Sequence, residues 1–325
     1  MGKGLPLRGR LVMEAVILIY IVTAARCHGW HYFFFPGLAA LSHDVLTRPW
    51  GKWAAQPLRL IVTPVLGAIA GMLITRALPY GVLAILLVVT SCLLLLTLLK
   101  SNIAPALAAG ALPLYLEVKS WLYPASIALS LFVLVAILVI WQRYCRRQYG
   151  QQAPDANPDD VLETLPSGHT WPLPFFAFVT ATAFCAAAWD LRLMLFPPLI
   201  VMAYEMFAHP TTCPWAGKPL ALPVACLLTA TTGWVAVRLF GSGGVAAGCG
   251  LASGVIALWL LRLRMPPALA IGLLPLVIGP PSIKYPISVA IGAAALTIMY
   301  QLYQRVFAGH LGRDFPTKSE GGSFQ

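Results

Sequence analysis

Ala-Pro-Ala-Leu-Ala at 104–108 returns as Pro-Pro-Ala-Leu-Ala at 266–270, 162 residues further along the chain. The same shift aligns other residues of the stretch 100–126 with identical or similar ones: Gly110 with Gly272, Leu112-Pro113 with Leu274-Pro275, Ser120 with Ser282, Tyr123-Pro124 with Tyr285-Pro286, and Lys100 with Arg262. Chance similarity between apolar segments would match Leu and Ala, but it would rarely align three Pro, a Gly, a Tyr and a cation. The two copies therefore indicate an internal duplication, around which the rest of the chain is organised.

The composition is that of an integral membrane protein. Of the 325 residues, 59% are hydrophobic and only 10% are charged, whereas soluble domains carry about 25% charged residues. Several charge-free runs reach the length of about 20 residues that crosses a bilayer: 77–99, 120–142, 164–189, 219–237, 239–261 and 285–304. The lipid bilayer is the expected partner. The net charge of +11 is scattered between these runs and does not indicate a nucleic-acid partner.

Cysteine usage and motif content exclude several classes of site. The seven cysteines form no CxxC pair, and most lie in apolar runs, where Cys behaves as a small hydrophobic residue. We therefore expect no disulfide framework and no metal site. The chain has no P-loop, dinucleotide fingerprint, HExxH or GxSxG motif, so we expect neither an enzyme nor a bound cofactor.

Each half divides into six membrane segments. They lie at roughly 11–27, 31–47, 57–75, 79–99, 101–117 and 120–143 in the first half, and at 171–191, 194–208, 219–239, 243–261, 265–281 and 284–305 in the second. The predicted organisation is a first membrane repeat (1–147), a polar cytoplasmic linker (148–170), a second repeat (171–308) and a disordered cytoplasmic tail (309–325). The N-terminal segment resembles a signal peptide in its charges and its apolar run, but Glu14 interrupts that run. We therefore interpret this segment as the first membrane helix.

The distribution of Lys and Arg decides between two possible membrane topologies. The second and fifth segments of each half are short and contain Pro and Gly, so they either cross or form re-entrant hairpins. If they re-enter, the 22 Lys and Arg divide 11 and 11 between the two sides. If all six segments cross, 16 lie on the side of the N-terminus and six on the other, as the positive-inside rule requires. The sequence thus predicts an all-α polytopic protein of the cell (inner) membrane, with both termini cytoplasmic. Its two repeats are parallel and related by an axis along the membrane normal.

The fifth segments begin in a way that suits an anion. Ser101-Asn102 precedes Pro105, and Arg264 precedes Pro266 and Pro267. Pro at a helix start leaves no amide unpaired, and such a start carries a partial positive charge. Asn102 and Arg264, which are equivalent under the shift, would add donors for a small anionic substrate. The alternative is that these Pro residues only end a loop, with Arg264 reaching the headgroups.

The second segments share an acid. At an offset of 161, Asp44 falls on Glu205. Acids inside membrane segments are costly and by default are functional candidates, so the pair is a candidate for proton coupling. The alternative is that each acid pairs with a nearby cation, such as Arg48 or Lys218.

Arg264-Met265-Pro266-Pro267-Ala268, followed by an apolar segment that contains Gly, resembles the HPP family of integral membrane proteins. The family is named for a His-Pro-Pro motif before a stretch rich in Ala and Gly. The resemblance extends over 195–305, where Phe196-Pro197-Pro198 and the Pro-rich loop 214–219 are similar to the family's pattern, and more faintly over 34–144. Met265 stands where the motif has His. Some members have been linked to nitrite transport, so the resemblance implies a small inorganic anion as solute.

These observations favour a transporter of a small anionic solute. In this interpretation the short helices of both halves form a central site. Two alternatives stay open: a membrane scaffold or assembly partner without transport activity, which would be sensitive to change in the linker, and an intramembrane enzyme that uses the two acids. Formation of a homo-oligomer is also left open.

Overall fold

The computed structural model describes residues 7–26, 35–51, 53–149, 166, 170–210, 213, 215–278 and 282–311. Within these residues the chain is all helical and contains no strand. The first half forms six helices: α1 (Leu7–Arg26), α2 (Gly37–Thr47), α3 (Pro57–Ala77), α4 (Val82–Leu98), α5 (Pro105–Leu116) and α6 (Leu122–Tyr149). The second half also forms six: α7 (Pro172–Ala188), α8 (Pro197–Ala208), α9 (Ala221–Phe240), α10 (Gly244–Leu260), α11 (Pro267–Leu273) and α12 (Lys284–Leu311).

Each of the twelve predicted segments corresponds to one helix of the described part. By length and composition four of these helices can cross a membrane: α3, α6, α9 and α12. Large apolar side chains such as Leu83, Phe132 and Trp259 are exposed on the exterior, which supports the predicted membrane class. Helices α6 and α12 run a few residues into the predicted linker and tail, and most of those two regions lies outside the described residues.

The helix ends follow from local sequence. Pro stands at the first position of α5 (Pro105) and of α11 (Pro267), where its missing amide hydrogen costs nothing. Helix α4 ends at Lys100, which has a positive φ of 48° and is followed by a hydrogen bond from Ser101 N to Leu96 O of 2.8 Å. Helix α10 ends in the same way at Arg262, which has a φ of 50°. These two ends have the hydrogen-bond pattern of the Schellman motif.

The bundle has two faces. We call the end that holds Tyr80, Glu117 and Arg192 the upper face, and the end that holds Arg48, Lys100 and Arg262 the lower face. Helix α5 begins at the lower face beside Lys100 and ends at Glu117, which contacts Arg192. It therefore runs from one face to the other and does not form a re-entrant hairpin.

The four short helices α2, α5, α8 and α11 form the centre of the molecule. They have 11, 12, 12 and 7 residues, and nearly all of their side chains are buried. Contacts between the halves come in matching pairs. Helix α5 packs on α8 and α11 packs on α2, while α1 packs on α10 and α7 packs on α4. Within each half, α3 packs on α5 and α9 packs on α11.

Candidate functional site

The candidate site lies around the ends of the central helices, since their middles are apolar and tightly packed. An added Cβ on Gly71 of α3 would lie 1.8 Å from the carbonyl oxygen of Gly110 in α5. The corresponding distance from Gly233 of α9 to the Gly272 oxygen in α11 is 2.0 Å. Backbone thus meets backbone at both places, so α3 and α5 pack in direct contact, as do α9 and α11.

At the lower end of α5 the predicted donor Asn102 is only 6% exposed. Its carbonyl oxygen accepts a hydrogen bond of 3.2 Å from Trp53 Nε1. Next to it Thr63 Oγ1 donates to Ser101 Oγ at 2.9 Å, and Pro105 is buried at the helix start. The first predicted anion-binding end is therefore a buried polar pocket joined to α3 and to the loop before it.

The lower end of α11 is built differently. Arg264 is exposed, Pro266 is half-buried and Pro267 is buried. Trp215, which is equivalent to Trp53, is also buried, but its Nε1 has no hydrogen-bond acceptor among the described residues. The structure thus places Asn102 and Arg264 at the starts of equivalent helices, one inside the protein and one at its surface.

The two predicted acids lie at the lower ends of α2 and α8, and both are buried. Asp44 forms an ion pair with Arg48, one helical turn later. Glu205 is 4% exposed, and the residue one turn later is His209, also buried. Lys218 lies apart from this pair, because its Nζ donates to Arg262 O at 2.9 Å. Each acid is therefore followed by a basic residue at the same spacing, arginine in one half and histidine in the other.

A cavity of about 670 Å³ opens at the upper face above the central helices. Equivalent residues at the end of α5 and in the segment that follows α11 line it: Tyr115 with Val277 and Leu116 with Ile278. Its charged lining residues are Glu117, Asp190, Arg192 and Lys284. Of these, Glu117 and Arg192 form an ion pair of 2.9 Å. We call this cavity the vestibule.

The sequence did not single out the vestibule residues as a site. Arg192 and Lys284 are two of the six Lys and Arg predicted to lie on the side opposite the N-terminus, and no motif marks them. The distribution of acidic residues could have indicated two of them. Only five of the 11 Asp and Glu lie within the two halves, and Glu117 and Asp190 are two of those five. That the two acids line one cavity depends on how the halves pack, which no local pattern encodes.

The described residues contain no group of three or more His, Cys, Asp or Glu arranged to hold a metal ion. Comparison with family models, with curated proteins and with solved structures finds no match for this chain. The resemblance to the HPP family therefore stays a prediction.

Proposed function

We propose that this chain is a cell-membrane transporter of a small anionic solute, built from two parallel six-helix repeats with both termini in the cytoplasm. The observation that carries the proposal is the set of four short central helices that end below an open vestibule. A helix of 12 residues is about 18 Å long, whereas the hydrocarbon core of a bilayer is about 30 Å thick. The ends of these helices would therefore lie at membrane depth.

Irregular backbone at membrane depth is tolerated where protein buries it or where it lines a water-filled cavity. The first condition holds at the lower ends, where Ser101 and Asn102 are buried, and the vestibule over the upper ends would supply the second. Short or broken helices that meet at the interface between two repeats are the usual place for a transporter's solute site. A scaffold would need neither the short helices nor the cavity.

Four observations support parallel repeats. The Schellman ends at Lys100 and Arg262 are 162 residues apart, as are the close approaches at Gly71 and Gly233. Contacts between the halves are reciprocal, so that α5 meets α8 and α11 meets α2. Equivalent residues at the end of α5 and after α11 line the same vestibule, as repeats of the same orientation would require.

The solute is proposed to be an anion because of the residues at the lower ends of α5 and α11. The start of α5, with Asn102 and Pro105, and the start of α11, with Arg264, Pro266 and Pro267, would supply positive helix ends and donors. Asp44 and Glu205 lie on the same face and would couple protons. Because Asn102 is buried in this structure, the solute would reach it only after the lower ends separate.

The proposal is tested by flux of small anions into proteoliposomes, and nitrite and nitrate are included because the HPP resemblance implies them. We expect uptake by the wild type, a loss of about tenfold or more in Arg264→Ala if the arginine holds the anion by a charge-assisted bond, and a flattened pH dependence in Glu205→Gln. Arg262→Ala is the matched control, because Arg262 is a similarly exposed cation two residues away and should transport normally. Absence of flux across a broad anion panel by folded protein would overturn the proposal in favour of a scaffold.

A further inference from the structure

A set of contacts at the upper face joins the two halves. Arg192, which precedes α8, pairs with Glu117 at the end of α5, and the distance between Nη1 and Oε1 is 2.9 Å. The guanidinium carbon of Arg192 lies 4.9 Å from the ring centroid of Tyr80, whose hydroxyl donates to Arg192 O at 3.3 Å. The Tyr115 hydroxyl donates to Leu195 O. We call Tyr80, Tyr115, Glu117 and Arg192 the clasp.

The sequence of the second half provides no counterpart of the clasp. Under the shift of 162, Tyr80 falls on Ser242, Tyr115 on Val277 and Glu117 on Gly279. None of these three residue types offers an aromatic ring or a charge. The clasp is therefore asymmetric, whereas the helix contacts between the halves come in matching pairs.

The ion pair of the clasp is weak enough to be released at a small cost in free energy. The side chains of Arg192 and Glu117 are 52% and 64% exposed, and an exposed ion pair shifts an equilibrium by at most about fivefold. The Tyr80 hydroxyl adds a hydrogen bond to a backbone oxygen of the other half.

Three of the four clasp residues, Tyr115, Glu117 and Arg192, also line the vestibule. Opening the clasp would therefore move a wall of that cavity. Ser288 of α12 also lines the vestibule, is 2% exposed, and donates through Oγ to Lys284 O at 2.6 Å. Its accessibility would report whether the wall has moved.

We propose that the clasp is the upper gate of the vestibule, and that its release parts α5 from the segment before α8 and lets a solute reach the central helices. The part of this inference that concerns transport rests on the proposed function. The opening itself is a property of the structure and is measured separately.

The first measurement is the rate at which a membrane-impermeant maleimide labels Ser288→Cys in the purified full-length chain. Labelling of the parent chain gives the background of the seven native cysteines. We expect slow labelling with the clasp intact, and a rate up to about fivefold higher when Glu117→Gln or Arg192→Gln is added. Arg76→Gln is the control, because Arg76 lies at the upper face and, among the described residues, its hydrogen bond and its cation–π contact are to Lys119 and Trp121 of its own half. Equal rates in all four variants would overturn the gate.

The second measurement is flux through Glu117→Cys/Arg192→Cys after treatment with a short bifunctional thiol crosslinker that a reductant cleaves. Crosslinked protein should stop transporting and should recover after reduction. If labelling responds but no anion is transported in either state, the gate stands and the proposed function fails. If anions are transported at the same rate with and without the crosslink, the gate fails and the proposed function stands.

Discussion

Pro113 and Pro275 each remove an amide hydrogen from a buried central segment, and each leaves the carbonyl four residues earlier without its helical partner. Those carbonyls, of Ala109 and Ile271, accept hydrogen bonds of 2.6 Å from the hydroxyls of Tyr123 and Tyr285. Each Pro is thus paired with the Tyr ten residues later. The duplicated sequence shows that both residue types recur in register, and the structure gives the physical reason.

This pairing predicts that Tyr123→Phe leaves a buried carbonyl unsatisfied and lowers the free energy of unfolding by about 2 kcal/mol. In a Pro113→Ala background the alanine amide can bond to Ala109 O, so the same change should cost less than about 1 kcal/mol. Unfolding midpoints in detergent measure both effects, and Tyr144→Phe, at an exposed position, is the control. Equal costs in the two backgrounds would show that the hydroxyl does not serve the carbonyl that the proline frees.

At the scale of elements, the contacts α3–α5 and α9–α11 depend on glycine. We expect Gly71→Ala and Gly233→Ala each to destabilise the fold by about 3 kcal/mol, the upper part of the range for overpacking, because the added carbon meets a carbonyl oxygen of another helix. Gly243→Ala is the matched control: Gly243 has an extended φ of −153° and nothing within 4 Å of an added Cβ. Thermal unfolding in detergent distinguishes the variants, and an unchanged midpoint in Gly233→Ala would contradict the close approach.

Element boundaries were largely predictable, because Pro, Gly and charged residues punctuate long apolar runs. Differences between equivalent elements were not. Pro113 stays within α5, whereas beyond Leu273 the Pro275 segment tightens into a 3₁₀ turn over Leu274–Leu276. A physical cause is the following sequence, since Gly279-Pro280-Pro281 cannot extend a helix, whereas the equivalent Glu117-Val118-Lys119 contains neither Gly nor Pro. The burial of Asn102, the exposure of Arg264 and the vestibule depend on packing between elements, which the sequence pattern does not record.

At the scale of the whole molecule, the halves meet at the centre through short helices, of which α2, α5 and α11 are rich in Ala and Gly. Within a bilayer the hydrophobic effect gives no drive for helices to associate, so contact depends on close packing of small residues and on hydrogen bonds. The reciprocal contacts of α5 with α8 and of α11 with α2 provide this packing at the centre. The clasp adds polar contacts at the upper face alone, so the association of the halves should depend on the centre and not on the clasp.

This dependence predicts that the halves associate without a covalent link. Co-expression of chains 1–149 and 166–325, with an affinity tag on the second, should recover both in mild detergent at equal amounts. Glu117→Gln in the first chain should leave recovery unchanged, because an exposed ion pair contributes at most about 1 kcal/mol. Gly71→Ala should reduce recovery, since it displaces α5, which packs on α8. Loss of the first chain in the Glu117 variant together with its retention in the Gly71 variant would place the main contact between the halves at the clasp instead of the central helices.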